Sequence, residues 1–218
     1  MDALRGRWRT DCGQVTRASP AEVDEVGARL LRRWREPHRR YHDATHLAEV
    51  LAAVDTLCSA DDVAAADHTV AVLAAWFHDA VYSAEDHETN EVASADVARE
   101  ELGRLGVRDE IRSRVALLVL DTVAHDLSGE DATDPARVVL HDADLWILAS
   151  PVARFDEYCR QVRDEYAHVP AAAYAAGRSD VLRPFLVRPR VYLSAHARSA
   201  WEDTARENLA RELTRLAG

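Results

Sequence analysis

The chain has 218 residues, enough for one sizeable core, and its 48% hydrophobic and 30% charged residues describe an ordinary globular protein. A net charge of −11 excludes a general nucleic-acid-binding surface, which needs clustered positive charge. No stretch approaches a membrane span, and the absence of lysine excludes Schiff-base chemistry and a Walker-type phosphate lysine.

In chain order, Met1 to Arg9 is charged and carries no apolar signal region. Cys12, Cys58 and Cys159 are odd in number and widely spaced, as expected of reduced thiols in a cytoplasmic protein. A helix starts with Ser19 as N-cap, Pro20 at N1 and Glu22 closing a capping box. It runs to about Arg35, where Glu36-Pro37 stops it. Helical spacing of apolar residues predicts further helices at about 43–58, 62–81, 87–105, 107–126, 135–149, 151–167, 170–187 and 191–216. Ser59-Ala60-Asp61-Asp62, Gly106, Ser128-Gly129-Glu130-Asp131 and Ser150-Pro151 punctuate them. Alternating β-branched runs are nearly absent, so the expectation is one all-α domain over residues 1–218.

The chemistry concentrates in three places. Trp76-Phe77-His78-Asp79-Ala80-Val81-Tyr82 ends a strongly apolar run, Val70 to Phe77. Burying an imidazole beside a carboxylate is costly unless each finds a partner, and a metal ion supplies one for both. Small residues on the same helix, Ala71, Ala74 and Ala75, let neighbouring helices approach closely. Upstream, His42 and His46 are four apart and share a face if both are helical. Only His46 is followed by Leu47, Val50, Leu51 and Val54, which turn its helix toward the core. Downstream, Leu140-His141-Asp142-Ala143-Asp144-Leu145 sets carboxylates inside another apolar run. A mixed nitrogen–oxygen site of this kind suits Mn²⁺, Fe²⁺, Co²⁺, Ni²⁺ or Zn²⁺, with Mg²⁺ a further choice. Water bound to such an ion, with a pKa near ~7, supplies hydroxide at neutral pH.

This His…His-Asp…Asp order across separate helices resembles the HD phosphohydrolase superfamily. The resemblance implies that His46, His78, Asp79 and Asp144 are the metal ligands, the second aspartate of Asp142-Ala143-Asp144 being preferred over the first. Longer patterns match a family of uncharacterised bacterial proteins predicted to be metal-dependent HD phosphohydrolases. They are Tyr41-His42-x-x-x-His46-Leu47, Trp76-Phe77-His78-Asp79-x-Val81-Tyr82, Asn90-Glu91-x-x-Ser94-Ala95 and Asp142-Ala143-Asp144-Leu145-x-Ile147-Leu148. Val162-Arg163-x-Glu165-Tyr166, Gly177-Arg178-x-x-Val181-Leu182, Val191-Tyr192 and Ala205-Arg206-x-Asn208-Leu209 continue the match, which covers residues 20–216. One departure is Ala149, where the family often has glycine. The implied protein is a helical bundle holding one divalent ion. It hydrolyses a phosphoester or phosphoanhydride of a small nucleotide-like metabolite, has no membrane partner, and is compatible with self-association.

Around the metal, Asp86-His87-Glu88-Thr89-Asn90-Glu91 is rich in groups that move protons. Glu91 is the first choice, and Glu91 and Asp79 are the candidate catalytic residues. Acidic residues at a helix start also have a simpler explanation in the helix dipole. His42, His125, Arg163 and Arg178 are the candidate substrate-binding residues, and Glu165 is placed to pair with either arginine. Arg183, Arg188, Arg190 and Arg206 are further anion-binding candidates. His87, His125 and His141 lie where a second metal or the substrate phosphate would be held. Two alternatives remain: an HD-type di-iron oxygenase using those extra histidines, and a metal-containing ligand sensor without turnover.

Overall fold

The computed structural model describes residues 2–85, 89–123, 125–127, 129 and 131–218. It is an all-α bundle, 74% helical, with no strand among the described residues. The helices are α1 (Asp2–Gly13), α2 (Pro20–Arg33), α3 (Ala44–Ala60), α4 (Ala65–Phe77), α5 (Asn90–Arg104) and α6 (Asp109–Asp121). They continue with α7 (Pro135–Asp144), α8 (Val152–Glu165), α9 (Ala171–Val187), α10 (Ala195–Ala200) and α11 (Glu202–Ala217). Short 3₁₀ segments occupy Asp131–Thr133 and Leu145–Ala149.

Local chemistry explains most starts. Glu22 Oε2 accepts from the Ser19 amide at 2.7 Å, and Ser19 Oγ accepts from the Glu22 amide, closing the expected capping box. Asp43 accepts from the amides of Thr45 and His46, and Asp134 from those of Ala136 and Arg137. Gly106, at φ +66°, ends α5: its amide bonds Gly103 O while the Val107 amide reaches back to Leu102 O.

Helix α4 lies at the centre, packed against α3, α6 and α7, with every residue from Val70 to Phe77 buried. A helix apolar on all sides belongs inside. Helices α5 and α6 pair on one flank, and α8 and α11 pack against the 3₁₀ segment Leu145–Ala149. The three cysteines are free and buried, and burial pushes each thiol up to about 12, so none is a reactive thiolate. Among the described residues no helix is long and apolar enough to cross a membrane.

Several predicted ends move, and one physical cause recurs: distant side chains capture the backbone groups that would have continued the helix. Helix α4 stops at Phe77 rather than 81, because Trp34 Nε1 donates to Trp76 O and Arg39 donates to the carbonyls of Asp79 and Ala80. The predicted helix 135–149 leaves α geometry after Asp144, where Tyr192 Oη takes Leu145 O and Asn208 Nδ2 takes Leu148 O. Helix α6 ends at Asp121 rather than 126, with Thr122 Oγ1 on Val119 O. The predicted helix 191–216 is two helices, broken at Trp201, and residues 191–194 precede them as an extended tie held by Glu202 and Asp142.

The sequence reading missed α1. Trp8 on this helix is buried, donates to Val23 O at 2.8 Å and stands edge-on to Trp76 at 5.3 Å. Arg7 joins Asp11 to Asp55 on α3, which anchors α1 to the centre. A Cβ added at Gly27 would lie 2.3 Å from Trp8 Cδ1. Gly27→Ala should therefore destabilise the protein by about 1–3 kcal/mol, overpacking outweighing the ~1 kcal/mol helix-propensity gain. Urea unfolding gives the sign, and a stabilised variant would show that α1 does not press on α2 as described.

Candidate metal centre

Three elements bring four side chains to one point. His46 follows the Asp43 cap in the first turn of α3, His78 and Asp79 follow α4, and Asp144 is the last residue of α7. His46 Nε2 and His78 Nε2 are 3.1 Å apart. Asp79 Oδ2 lies 3.6 Å from His46 Nε2 and 3.3 Å from His78 Nε2. Asp144 Oδ1 lies 3.2 and 3.5 Å from the same two nitrogens. His46, His78 and Asp79 each offer a ligand atom, all within 4.8 Å of one another.

These spacings fit an ion. With metal–ligand bonds of about 2.1 Å, neighbouring ligand atoms stand roughly 3.0 Å apart at right angles and roughly 3.4 Å apart at a tetrahedral angle. The ring orientation fits as well: His78 Nδ1 is 2.8 Å from Ala75 O and donates to it, which turns Nε2 toward the cluster. Burial disfavours a charged His78, yet Asp79 and Asp144 outweigh it and hold its pKa well above the usual imidazole value. Burial likewise opposes ionisation of the two aspartates, and the positive charge of His78 holds both below the usual carboxylate range. Two ionised carboxylates buried together call for a cation, and a divalent ion meets that need.

The cluster opens onto a cavity of about 510 Å³, whose wall includes Asp79, Asp144, His42, Glu91, His125 and Arg178. That volume is within the range of small-molecule sites. Five tyrosines, Tyr41, Tyr82, Tyr158, Tyr166 and Tyr174, share the lining with aliphatic side chains.

His42 precedes the Asp43 cap and is not on α3, so it does not reach the site by sharing a helix face with His46, as its spacing had suggested. Instead its ring stacks on Tyr82 at 4.1 Å and its Nδ1 lies 2.7 Å from Glu165 Oε2. Glu165 also accepts from the amides of Arg40, Tyr41 and His42 and from Tyr82 Oη. It is thus engaged with the His42 segment rather than with Arg163 or Arg178. Burial disfavours a charged His42, but Glu165 outweighs it and raises the pKa above the usual imidazole value. Burial would raise Glu165, while the His42 ring and the amides of Arg40 and His42 bring it down to about 2.

His125 sits at φ +45°, its Nε2 3.5 Å from Asp144 Oδ2, and burial lowers it to about 4, so the ring is neutral. Its backbone carbonyl accepts from Arg188 and from His141 Nε2. His141 is therefore used structurally, its Nδ1 facing Asp142. Asp142 is fully buried and accepts from the amides of Leu193 and Ser194, so it fastens the chain after α9 while Asp144 faces the cluster. Glu91 lines the cavity from the first turn of α5. Asp86, His87 and Glu88 lie outside the described residues.

Of the two preferred arginines, only Arg178 lines the cavity. Arg163 donates to the carbonyls of Tyr166 and Val169 beyond the end of α8 and covers the Tyr174 ring. It is occupied with the turn into α9, so the structure gives it no place in the cavity wall. Arg206 is similarly engaged with Glu202 and the carbonyls of Leu186, Arg188 and Pro189.

The sequence reading missed Arg39. Its buried side chain donates to the carbonyls of His42, Asp79 and Ala80, joining the two ligand-bearing segments. Nothing in the run Arg39-Arg40 distinguishes it from its neighbour. The pairing of Asn90 with Ser83, and of Ser94 with Val81, shows why those two residues accompany the His-Asp pair: they hold the chain that follows it.

No protein-family model matches the chain, and no curated protein matches it.

Two outcomes follow. Asp144→Ala should lose the metal after chelation and reloading, whereas Asp142→Asn should keep it but cost about 3 kcal/mol in stability, the usual penalty for breaking a buried charged network. Elemental analysis with chemical unfolding separates them, and equal metal retention would sink the ligand choice. The second concerns pH. Because folding depresses the Glu165 pKa from 4.5 to about 2, its stabilisation is complete above the unfolded value and is lost as pH falls through that window. It amounts to about 3 kcal/mol, so the stability gap between wild type and Glu165→Gln should shrink between pH 5 and pH 2. A gap that stays constant with pH would mean that Glu165 is not charged in the fold.

Proposed function

We propose that this protein is a metal-dependent phosphohydrolase of the HD type, acting on a phosphoester or phosphoanhydride of a small nucleotide-like metabolite. The observation that carries the reading is the convergence of His46, His78, Asp79 and Asp144 beside a 510 Å³ cavity that Asp79, Asp144 and the Glu165-paired His42 line. The order of those residues along the chain supports the same superfamily. His46, His78, Asp79 and Asp144 would hold a divalent ion, which would supply Lewis-acid chemistry toward a phosphoryl oxygen and water.

The chain's own groups provide the rest. His42, whose pKa Glu165 raises, lines the cavity and can pass a proton to the leaving oxygen. Glu91 orients or deprotonates the attacking water from the first turn of α5. The tyrosine-rich wall suits a planar base, which stacks on aromatic rings. Asp79, tied through its own carbonyl to Arg39, stays in register with His78.

An oxygenase with two irons has one observation in its favour, His125 Nε2 near the second oxygen of Asp144. With His141 engaged by Asp142, His125 would be a second ion's imidazole among the described residues in that interval. Two irons per chain with redox activity would support that reading, and metal without turnover would support a sensor.

Glu91→Gln tests the hydrolytic reading. It preserves size and reach while removing the basic site, so metal content should hold and kcat should fall ~10²–10⁴-fold. The assay is phosphate release from a panel of nucleotides and phosphoesters with Mn²⁺, Co²⁺ or Ni²⁺. Full activity in the variant would assign Glu91 to the helix start alone.

A further inference from the structure

The cavity has a second charged feature, well removed along the chain from the metal cluster. Arg178 lies on α9 and, among the described residues, is the one arginine lining the cavity. Its guanidinium lies over the Tyr158 ring, 5.1 Å from the centroid, and donates to Tyr158 Oη. No carboxylate stands within ion-pair distance of it among the described residues. Arg29, Arg137 and Arg154, also part-buried, pair with Glu101, Asp121 and Glu49, while Arg163 and Arg188 each donate to two backbone carbonyls. A guanidinium carries five N–H donors, and the protein engages it through one neutral phenol. Desolvating a cation without a counter-charge is costly, and one ring face offsets only part of that cost. One helical turn earlier, the Tyr174 hydroxyl also faces this wall, buried and without a hydrogen-bond partner. A buried donor left unpaired marks a place where a ligand atom completes the bonding.

The contact path from the metal cluster to Arg178 runs through two rings. Tyr41 lies 4.7 Å from His46, centroid to centroid, and Tyr158 lies 4.5 Å from Tyr41. One phosphoryl group at the cluster therefore leaves the guanidinium for a different part of the ligand.

We propose that Arg178, with Tyr174 and Tyr158, forms an oxyanion subsite that receives a second, non-reacting acidic group of the substrate. The preferred substrates would then carry a phosphate or carboxylate in addition to the phosphoryl group that is cleaved. This rests on the hydrolytic reading above for the word substrate, but the anion site itself does not require turnover.

Equilibrium dialysis of the full metal-loaded chain with labelled inorganic phosphate tests it. Two sites per chain are expected, one lost on chelation and one resistant to it. Arg178→Gln should weaken the chelator-resistant site ~10–100-fold, the usual range for charge-assisted bonds. Arg178→Lys keeps a charge on α9 but loses the planar fork, so it should bind with intermediate strength and guards against a folding defect in the first variant. A single, chelator-sensitive site would overturn the proposal, as would a resistant site untouched by both substitutions. Where turnover is found, the ratio of KM for p-nitrophenyl phosphate to KM for ADP or phosphoglycolate should fall ~10–100-fold in Arg178→Gln. A change confined to ADP identifies a phosphate as the second group, one confined to phosphoglycolate a carboxylate, and an unchanged ratio counts against the subsite. Absence of turnover in wild type would fail the hydrolytic reading while leaving the dialysis result to decide the anion site.

Discussion

Asp79 and Asp144 place two carboxylates against the same pair of imidazoles, beyond the buried half of α4 and at the end of α7, and the surrounding architecture answers that charge. Water cannot solvate these groups freely: their side chains are 16% and 12% exposed, and the imidazoles beside them are almost wholly covered. Ligand atoms held 3.1–3.6 Å apart repel or compete for protons unless a cation shares them. The apolar packing of α3, α4 and α7 keeps the four groups from separating, so burial supplies the precision that binding an ion requires. Stability and site geometry are thus coupled: the residues that would most relax the electrostatic strain are the ones that make the site.

Precision at the cluster depends on segments with no helical ladder of their own. The chain before α3 is fixed by Glu165, which takes three consecutive amides, and by Arg39, which spans to the carbonyls after α4. The chain after α9 is fixed by Asp142 through the amides of Leu193 and Ser194. Each of these ties is a buried charged group with several partners, the arrangement in which charge is retained rather than neutralised. They also explain why Asp142 and Asp144, two residues apart, differ so sharply. At the end of α7 one faces the packed chain and the other faces the cavity.

Helix interiors were legible in the sequence because burial repeats with the helical period, and so was the convergence of His46, His78, Asp79 and Asp144, each set in an apolar context. Helix ends were less so. The stops at Phe77 and Asp144 involve the donors Trp34, Arg39, Tyr192 and Asn208, which lie far away in sequence. His42 was expected in the cavity and is there, but by way of Glu165 and Tyr82 rather than a shared helix face. Arg163 and Arg178 could not be separated by sequence: both are arginines near aromatic residues, and only the fold shows which one meets backbone carbonyls and which one meets open space. Helix α1 was missed because its buried face amounts to little more than Trp8 and Cys12 amid charged residues, too sparse a pattern for periodicity to register.

The two walls of the cavity differ in how they are built. The cluster wall comes from helices packed on several sides, whereas α9 contributes 17 residues of which Leu182 is buried. The face that α9 turns inward, including Tyr174, Arg178, Leu182 and Phe185, borders the cavity, so much of its would-be core contact is with space a ligand can fill. The side chains on that face can change at smaller cost than core residues, because part of their surroundings is cavity, whereas the packing of α9 against α11 stays fixed. Substitutions on α4 or α7, by contrast, disturb both the core and the ligand geometry. The fold therefore fixes the cluster wall of the cavity more tightly than the wall that α9 provides.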